Sequence, residues 1–418
     1  MKHKFLRNKD IVLFSFQPWE SEIGFNFKDM AYELARHNRV LFVNRVPDRN
    51  SLLQDYKNKT TGRPANGNPG SANTRRREEL LQIQDSLWVL NPQVTLESIN
   101  RIPVNALYDL LNRINNRRIA REINKTLARL DFGEVILIND NDFFRGLYQK
   151  QLIPSCKTYI FYIRDFLTIQ PFFRKHGVRL EKKMIRNADL VVANSAYLAN
   201  YSRQWNPRSY DIGQGCELDS FMAPDLPVPA DIASIPGPII GYCGTISAMR
   251  LDIEIIRHIA LSLPQCSVLL VGPADTVFEK SGLKELKNVH FTGGKDPETI
   301  PGYMQHFDIC INPQLVNELT IGNYPRKIDE YLAMGKPVVA TATDAMEMFR
   351  EHVFLCGTKE DYIREIGTIL EDAGKLYFSE AEKERRRNFA LTHSWENSVG
   401  TIGDAYNAIA EARTTGVN

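Results

Sequence analysis

The sequence predicts an α/β protein built from two doubly wound, Rossmann-like domains that face a cleft. Short apolar runs alternate with helical stretches along most of the 418 residues. A proline-rich segment at 223–238 interrupts this alternation, which then begins again. A chain of this length exceeds what one hydrophobic core usually organises, so two domains are expected. Ligands of open parallel sheets bind beyond the carboxyl ends of the strands.

The first half contains the elements of a parallel sheet in chain order. Apolar runs at 10–16 and 40–44 flank a helical stretch at 25–36, which makes a strand, helix, strand unit. Residues 51–77 are polar and rich in Gly, Pro and Asn, which predicts a long flexible loop. Further strands are predicted at 87–90, 135–139, 158–163 and 190–194, and helices at 104–130, 143–151 and 180–187.

The second half repeats the alternation after the proline-rich segment. Strands are predicted at 239–242, 267–271, 289–292, 309–312, 337–341 and 353–356, and helices at 252–263, 299–306, 327–334 and near 346. Helices from 359, 379 and 394 onward close the chain. We therefore predict an N-terminal domain over 1–222, a second domain over 223–392, and a C-terminal helix over 393–418 that crosses back to the first domain.

The composition argues against several classes of protein. A net charge of +2, with 43% hydrophobic and 24% charged residues, is typical of a globular protein rather than a disordered or nucleic-acid-binding one. The six cysteines are scattered and include no CxxC pair, so neither a zinc site nor a disulfide framework is expected. No apolar run approaches the roughly 18 residues that span a bilayer, and the first residues lack a signal-peptide core. The sequence predicts a cytoplasmic protein.

The segment 323–341, NYPRKIDEYLAMGKPVVAT, carries the most informative pattern. Pro325 stands where a helix would begin. Free backbone N–H groups at the start of that helix, beside Arg326 and Lys327, predict a seat for a diphosphate. Glu330 lies one turn further on, where an ionised carboxylate can accept hydrogen bonds from two ribose hydroxyls. A solvent-exposed helix without a ligand is the alternative.

This string resembles the P-x-K-x-x-E-Y-L-A-x-G-K-P-V-V signature of GT-B glycosyltransferases, especially those related to glycosyltransferase family 4 that build bacterial surface polysaccharides. The resemblance implies that Glu330 holds the ribose of the donor and that Arg326 and Lys327 face its diphosphate. Asn323 and Tyr324, which open the string, belong to the same implied donor site.

A glycine turn begins the second domain. Gly244 and Thr245 follow the strand at 239–242, and small residues in such a turn let a ligand approach the backbone. The turn is similar to the one that nears the donor phosphates in the same family, which adds both residues to the implied donor site. A purely structural turn is the alternative.

Two positions depart from the family pattern. Retaining members usually carry a second glutamate eight residues before the ribose-binding one, and Gly322 occupies that position here. The family also has an arginine and lysine pair after the glycine turn, where this chain has only Arg250 nearby. Whether the reaction retains or inverts the sugar configuration therefore stays open, and Arg326 and Lys327 are expected to supply the catalytic positive charge.

Candidate acceptor residues follow strands of the first domain. Trp19, Gly24 and Asn26 come after the first strand, where Gly24 allows close approach and Trp19 offers a face for stacking on a sugar. Packing of Trp19 within its own domain is the alternative. Asp165 follows the strand at 158–163 and is a candidate catalytic base for an acceptor hydroxyl if the enzyme inverts, with a helix N-cap as the alternative.

Asp140 and Asp142 have the D-x-D spacing with which some nucleotide-sugar enzymes bind a divalent cation. They lie in the first domain, away from the donor signature, and GT-B enzymes typically need no bound metal, so a capping cluster is the favoured interpretation. Basic runs at 75–77 and 115–118 are interpreted as solvated surface, with contact to anionic lipid headgroups as the alternative.

The resulting hypothesis is a glycosyltransferase. It would move a sugar from a nucleoside diphosphate sugar, expected to be UDP-linked, to a saccharide or lipid-linked acceptor in cell-surface polysaccharide biosynthesis. It would need no metal or other cofactor and would work in the cytoplasm or at the inner face of the membrane. Two alternatives stay open. A nucleotide-sugar epimerase would use the same fold, and a non-catalytic nucleotide-sugar-binding scaffold would explain the missing glutamate at Gly322.

Overall fold

The computed structural model describes residues 3–20, 26–61, 78–223, 226–318, 320–322, 324–372 and 376–415. They divide into two compact units. Unit 1 comprises Met1–Gly215 and Trp395–Asn418, and unit 2 comprises Cys216–Ser394. The domain boundaries placed from the sequence after 222 and 392 stay predictions.

One sheet runs through unit 1. Its strands are β1 (Asp10–Ser15), β2 (Arg39–Val43), β3 (Leu80–Gln84), β4 (Leu87–Leu90), β5 (Val135–Asp140), β6 (Cys156–Ile163), β7 (Leu190–Ala193) and β8 (Ser209–Asp211). They lie in the order β3-β4-β2-β1-β5-β6-β7-β8. Pairing is parallel throughout except between β3 and β4, which form an antiparallel edge. The parallel strands bring their carboxyl ends to one edge of the sheet.

Helices cover both faces of this sheet. They are α1 (Asn26–Ala35), α2 (Arg49–Thr61), α3 (Asn105–Arg129), α4 (Gln149–Leu152), α5 (Pro171–Asn187) and α6 (Ala196–Arg203). Val12 and Phe14 of β1 belong to the core that α3, α5 and α6 share, whereas Ile11 and Leu13 belong to the core on the α1 side. Successive residues of a strand point to opposite faces, so this division makes the sheet doubly wound.

The prediction of a loop at 51–77 is wrong for its first part, because the residues up to Thr61 belong to α2. The Asp48 Oδ1 atom accepts a hydrogen bond from the Ser51 backbone N–H at 2.8 Å. An aspartate at this position caps the start of a helix, and the polar composition of the segment concealed that signal. Residues 62–77 lie outside the described residues. The sequence also missed β3, α6 and β8, which are too short for a periodicity argument, and placed the start of α5 nine residues late.

Unit 2 contains a second parallel sheet. Its strands are β9 (Ile239–Cys243), β10 (Ser267–Val271), β11 (Val289–Gly293), β12 (Ile309–Asn312), β13 (Val338–Thr341) and β14 (Phe354–Cys356). They lie in the order β11-β10-β9-β12-β13-β14, with every pair parallel. The order reverses direction beside β9, which is the kind of position where open sheets bind ligands.

The helices of unit 2 are α7 (Ile253–Ser262), α8 (Thr276–Glu279), α9 (Ile300–Gln305), α10 (Lys327–Ala333), α11 (Lys359–Glu371) and α12 (Glu380–Leu391). Ile240 and Tyr242 of β9 pack in the core with α7 and α11, and Ile239 and Cys243 pack in the core with α9 and α10. This sheet is therefore also buried on both faces, as near-continuous apolar strands predict.

The chain ends in unit 1 with α13 (Trp395–Thr415). Trp395, Val399 and Ile402 of this helix are buried in the core on the α1 side of the sheet. At Gly215, an added Cβ would stand 2.1 Å from the Trp395 ring, so the indole lies directly against this backbone. Within the described ranges, no helix combines the length and apolar character needed to cross a bilayer.

Candidate functional site

The segment 323–341 forms the helix that its sequence predicts. α10 begins at Lys327, directly after Pro325 and Arg326, and ends just before Gly335. Gly335 has a φ of 71°, and its N–H donates to a carbonyl in the last turn at 2.8 Å. A glycine in this left-handed conformation ends a helix without steric cost.

Lys327 lies beside the glycine turn after β9, although 83 residues separate it from Gly244 in the chain. A Cβ placed on Gly244 would stand 3.2 Å from the Lys327 Cε atom and 3.6 Å from its Nζ atom. The same ammonium group lies 5.1 Å from the centre of the Tyr242 ring. The structure thus brings a lysine charge and a glycine turn together at the carboxyl end of β9. The neighbouring Thr245 is exposed, and its carbonyl accepts from the Tyr242 hydroxyl at 3.1 Å.

Two glycine turns are packed against each other at this edge of the sheet. Gly244 and Gly272, which follow β9 and β10, both have a φ of 137°. A Cβ on Gly272 would stand only 2.0 Å from the Gly244 carbonyl oxygen. L-residues with side chains rarely adopt this conformation, and the contact leaves no room for a methyl group. Gly272 was not predicted as a site residue, although it directly follows the strand predicted at 267–271.

Glu330 is largely buried and forms an ion pair with Arg326. The distance from the Arg326 Nε atom to the Glu330 Oε1 atom is 3.0 Å, and 14% of the Glu330 side chain is exposed. Burial raises the pKa of Glu330 above its ordinary value, while the charges of Arg326 and Lys327 work in the opposite direction. The three predicted donor residues therefore form one electrostatic group in the first turn of α10.

A buried hydrogen-bond network lies beneath the same turn. The side chain of Asp329 is fully buried, and it accepts a hydrogen bond from the Tyr324 hydroxyl at 2.7 Å. The Cys216 thiol lies 3.4 Å from the same Asp329 oxygen, and the His393 Nδ1 atom is 2.7 Å from the other one. Desolvation raises the pKa of Cys216 far above its ordinary value, and the Asp329 charge adds to this rise. The network holds α10 against residues from both ends of unit 2.

Tyr324 was predicted as a donor-binding residue, and the structure places its side chain in the core. It is 4% exposed, and its ring packs against Phe349 at 5.4 Å between ring centres. Its hydroxyl is engaged with Asp329, so the ring supports α10 from below. Asn323 lies outside the described residues, and its predicted role stays a prediction.

In unit 1, a buried ion pair stands at the carboxyl edge of the sheet. Asp140, at the end of β5, accepts from the Arg164 Nε atom at 2.6 Å and from the Ser15 hydroxyl at 3.0 Å. Arg164 also donates to the Gln17 side-chain oxygen at 3.0 Å. Burial works to lower the pKa of Arg164, but the carboxylates of Asp140 and Asp165 raise it above its ordinary value. Asp140 is therefore part of an ion pair rather than a capping residue, which corrects one half of the prediction for the D-x-D sequence.

Asp142 accepts backbone hydrogen bonds within a turn and does not cap a helix, because the helix predicted at 143–151 begins only at Gln149. Its Oδ1 atom accepts from the backbone N–H of Arg145 at 2.9 Å, and its Oδ2 atom lies 2.7 Å from the Arg145 Nε atom. Over the part of the chain that the structure describes, no group of three or more His, Cys, Asp and Glu side chains is arranged to hold a metal ion.

Of the predicted acceptor residues, only the side chain of Trp19 lies among the described residues. Trp19 is 7% exposed and packs against Tyr32 and Phe42, with ring centres 5.6 and 5.0 Å away, which favours the packing alternative over a sugar-stacking face. Gly24 lies outside the described residues, and so does the side chain of Asn26 at the start of α1. Their roles stay predictions.

Asp165 is half-buried, just beyond the end of β6. Its backbone carbonyl accepts hydrogen bonds from the Leu167 N–H at 2.9 Å and from the Asn141 side chain at 3.0 Å. The short 3-10 helix that follows has Phe166 as its N-cap and no side-chain capping bond. The structure therefore gives the N-cap alternative no support, and the catalytic role of Asp165 stays a prediction.

Comparison with known proteins finds a family match within the second unit. Residues 237–372 match the family described as Glycosyl transferases group 1. The matched segment runs from β9 to α11, so it contains Gly244, Lys327 and Glu330 together. The finer relation to glycosyltransferase family 4 stays a prediction.

A relative and several solved structures resemble this chain over more residues than the matched segment 237–372. A protein named putative teichuronic acid biosynthesis glycosyltransferase TuaH, from Bacillus subtilis, is 30% identical over 54% of this chain. The match spans 59% of the length of TuaH. Sucrose-phosphate synthase from Thermosynechococcus elongatus has a TM-score of 0.64 at 16% identity, with 97% of this chain and 100% of that chain covered.

HepE from Anabaena, solved in complex with UDP-glucose, has a TM-score of 0.59 at 18% identity, with 97% of this chain and 99% of that chain covered. Identities this low establish the fold alone. The predicted GT-B fold is confirmed by these neighbours.

Sequence reasoning missed three residues that surround the predicted ones. Asp329 carried a signal, because a carboxylate on the same helix face as Leu332 and Ala333 occupies a core position and needs partners there. Gly272 also carried one, since it follows an apolar strand at the same point as Gly244. No sequence signal marks Arg164, because no nearby residue indicates that its ion-pair partner Asp140 lies on β5.

Proposed function

We propose that this protein is a glycosyltransferase that moves a sugar from a nucleoside diphosphate sugar, UDP-linked, to a saccharide or lipid-linked acceptor in cell-surface polysaccharide biosynthesis. The observation that carries the proposal is the placement of Lys327 beside the Gly244 turn, with Glu330 one turn along the same helix. The name of TuaH and the UDP-glucose complex of HepE support the reaction class and the nucleotide.

In this proposal the donor is held by its charged and hydroxyl groups. The Lys327 ammonium neutralises diphosphate oxygens as a compact point charge, and the phosphates approach the glycine turn beside it. Glu330 accepts hydrogen bonds from the ribose hydroxyls. The charge of Arg326, in the 3.0 Å ion pair, opposes the rise that burial causes in the pKa of Glu330 and adds positive charge for the departing diphosphate.

Asp165 is proposed to act on the acceptor. A half-buried carboxylate at the carboxyl edge of the unit 1 sheet is suited to accept a proton from an attacking hydroxyl, which is the role of the general base in a reaction with inversion. Arg164, paired with Asp140, stands next to it in the chain and fixes the end of β6. Gly322 provides no carboxylate at the position where retaining relatives carry one.

No resident metal or organic cofactor is needed in this scheme, because Lys327 and Arg326 supply the charge that a cation would otherwise bring. We also propose that the enzyme works in the cytoplasm and meets a lipid-linked acceptor at the inner face of the membrane.

Thermal-shift measurements with a panel of nucleoside diphosphates and nucleotide sugars test the donor site. Binding to the native state adds about 2.7 kcal/mol to its stability at a ligand concentration 100 times Kd, so wild type should melt several degrees higher with UDP. Glu330→Gln keeps the shape of the side chain and removes its charge, and should lose most of this shift.

A matched control is available on α11. Glu365 forms an ion pair with Arg364 at 2.9 Å. The Glu365→Gln variant should show the same UDP-induced rise in melting temperature as wild type. A wild-type protein that no nucleotide stabilises would contradict the proposal and favour the non-catalytic scaffold. Stabilisation without sugar transfer to any acceptor, combined with interconversion of the sugar, would favour the epimerase.

A further inference from the structure

Large apolar side chains are exposed on two neighbouring helices of unit 1. On α3 and at its N-cap these are Val104, Leu107 and Leu110, with 56%, 47% and 58% of their surfaces exposed. On α5 they are Phe172 and Val178, with 62% and 41% exposed. Residues three apart lie on the same side of a helix, so the first three form a stripe.

The two helices are tied together beneath these side chains. The Tyr108 and His176 rings stack at 3.8 Å, and Arg179 forms a bidentate ion pair with Asp109 at 2.8 and 2.9 Å. The Lys175 ammonium donates to the Arg101 carbonyl at 2.7 Å. The exposed apolar side chains therefore lie on two helices that are joined to each other, and we name them together the α3–α5 surface.

The α3–α5 surface also carries positive charge. The side chains of Arg101, Arg113, Arg174 and Lys175 are exposed around the apolar residues. The acidic residue within this area is Asp109, and Arg179 neutralises it. A mixture of leucine, valine and phenylalanine with arginine and lysine is typical of surfaces that lie in the headgroup region of anionic bilayers.

The position of this surface in unit 1 adds a functional argument. α5 begins at Pro171, six residues after Asp165, so its first turn lies at the carboxyl edge of the sheet. α3 follows β4, which runs parallel to β2, and begins at the same edge. The surface and the candidate base Asp165 therefore share one end of unit 1.

We propose that the α3–α5 surface docks unit 1 onto an anionic lipid bilayer. Its apolar side chains enter the boundary between headgroups and acyl chains, and its arginines and lysine contact lipid phosphates. Charge complementarity selects this occupant over a neutral bilayer or an uncharged protein face. Docking delivers a lipid-linked acceptor to the edge that carries Asp165, a consequence that rests on the proposed function, whereas the docking itself does not.

Vesicle sedimentation tests the docking. Wild type should bind vesicles of phosphatidylglycerol mixed with phosphatidylcholine and dissociate from them at high salt. It should not bind vesicles of pure phosphatidylcholine. Each added cation near an anionic surface strengthens binding about fivefold. The charge variant R174E/K175E and the apolar variant L107S/L110S should each bind at least about tenfold more weakly than wild type.

Matched variants in unit 2 control for general effects of charge and polarity. Leu261 and Val277 are 60% and 58% exposed, and Lys280 and Lys287 are exposed lysines. L261S/V277S and K280E/K287E should sediment like wild type. Every variant should keep the wild-type melting temperature within a few degrees and the full UDP shift, which separates loss of docking from misfolding and from loss of the donor site.

Four outcomes would overturn the proposal. Three of them are that wild type stays in the supernatant with anionic vesicles, that the unit 2 variants lose as much binding as the α3–α5 variants, and that the α3–α5 variants bind as well as wild type. The last result would leave this surface for a protein partner. Release of wild type by inorganic phosphate at constant ionic strength would mean that the cations recognise free phosphate rather than a membrane.

Discussion

Asp329 and Glu330 stand next to each other on α10 and meet different surroundings. One residue turns an α-helix by about 100°, so neighbours in sequence face different directions. Glu330 is turned toward Arg326 and keeps part of its surface open, whereas Asp329 is fully buried. The sequence pattern indicates a ligand-binding role for Glu330. The burial of Asp329 is explained only by the positions of its partners Tyr324 and His393.

Glu181 is a second buried carboxyl group, on α5 in unit 1. It is fully buried, and one of its oxygens accepts from the Tyr201 hydroxyl at 2.8 Å. Its other oxygen has no hydrogen-bond partner among the described residues. Burial raises the pKa of Glu181 from 4.5 to about 7, against the opposing effects of Tyr201 and Lys182. The group is therefore more readily protonated in the folded protein than in the unfolded chain.

This raised pKa predicts a stability that falls as the pH rises. Between pH 4.5 and about 7 the folded state holds a proton that the unfolded state releases, so the free energy of unfolding decreases across that window and is level above it. The shift corresponds to about 3 kcal/mol at most. Glu181→Gln keeps the hydrogen bond from Tyr201 and should gain stability relative to wild type at pH 8 but not at pH 4.5.

Urea denaturation at the two pH values measures this difference. The exposed Glu384 on α12 offers a control, because Glu384→Gln should change stability by the same small amount at both pH values. If Glu181→Gln were equally different from wild type at pH 4.5 and pH 8, the carboxyl group would not be protonated on folding.

At the scale of elements, the tight packing of the turns after β9 and β10 sets a limit on substitution. Gly272→Ala forces a side chain into a φ of 137° and onto the Gly244 carbonyl oxygen. Backbone strain and overpacking together should cost about 3 kcal/mol or more. Because the same turn is part of the proposed donor site, the UDP-induced rise in melting temperature should also shrink.

Gly367 on α11 is the matched control for this substitution. No atom lies within 4 Å of an added Cβ there, and the glycine stands inside the helix. Gly367→Ala should therefore stabilise unit 2 by roughly 0.5 to 1 kcal/mol, since alanine favours helix and glycine does not. Denaturation midpoints of the two variants should move in opposite directions, and a Gly272→Ala protein as stable as wild type would refute the packing argument.

Elements differ in how well local sequence determines them. The bounds of α10 followed from Pro325 and Gly335, because a proline and a left-handed glycine act within one turn of the chain. α2 was missed, because its polar composition resembles a loop and its start depends on Asp48. The long strands were found in both units, since burial on both faces makes them apolar throughout.

For the molecule as a whole, the proposed chemistry predicts activity without a divalent cation. Asp140 is engaged with Arg164 and Ser15, and Asp142 with Arg145, so the D-x-D sequence has no free pair of carboxylates. Lys327 and Arg326 provide the positive charge instead. Sugar transfer should therefore stay within about twofold of its initial rate after exhaustive treatment with EDTA. A rate that collapses and returns on adding Mg²⁺ or Mn²⁺ would contradict this scheme.

Residues that precede β1 contact α13 in unit 1. The Lys4 backbone N–H donates to Asp404 on α13 at 2.7 Å, and the His3 Nδ1 atom lies 2.8 Å from the same carboxylate. At Gly403, an added Cβ would stand 2.3 Å from the Lys4 carbonyl oxygen. Unit 1 is therefore built from segments about 400 residues apart in the chain.

The sequence by itself determined the α/β class, the repetition of the pattern in two halves, the bounds of α10 and the grouping of Arg326, Lys327 and Glu330. Each of these depends on residues within a few positions of one another, where periodicity and turn chemistry act. Tertiary structure alone decided that Lys327 lies beside Gly244, that Asp140 pairs with Arg164, and that Trp19 is buried. These contacts join residues far apart in the chain, and they depend on which strands become neighbours in a sheet, which no local pattern specifies.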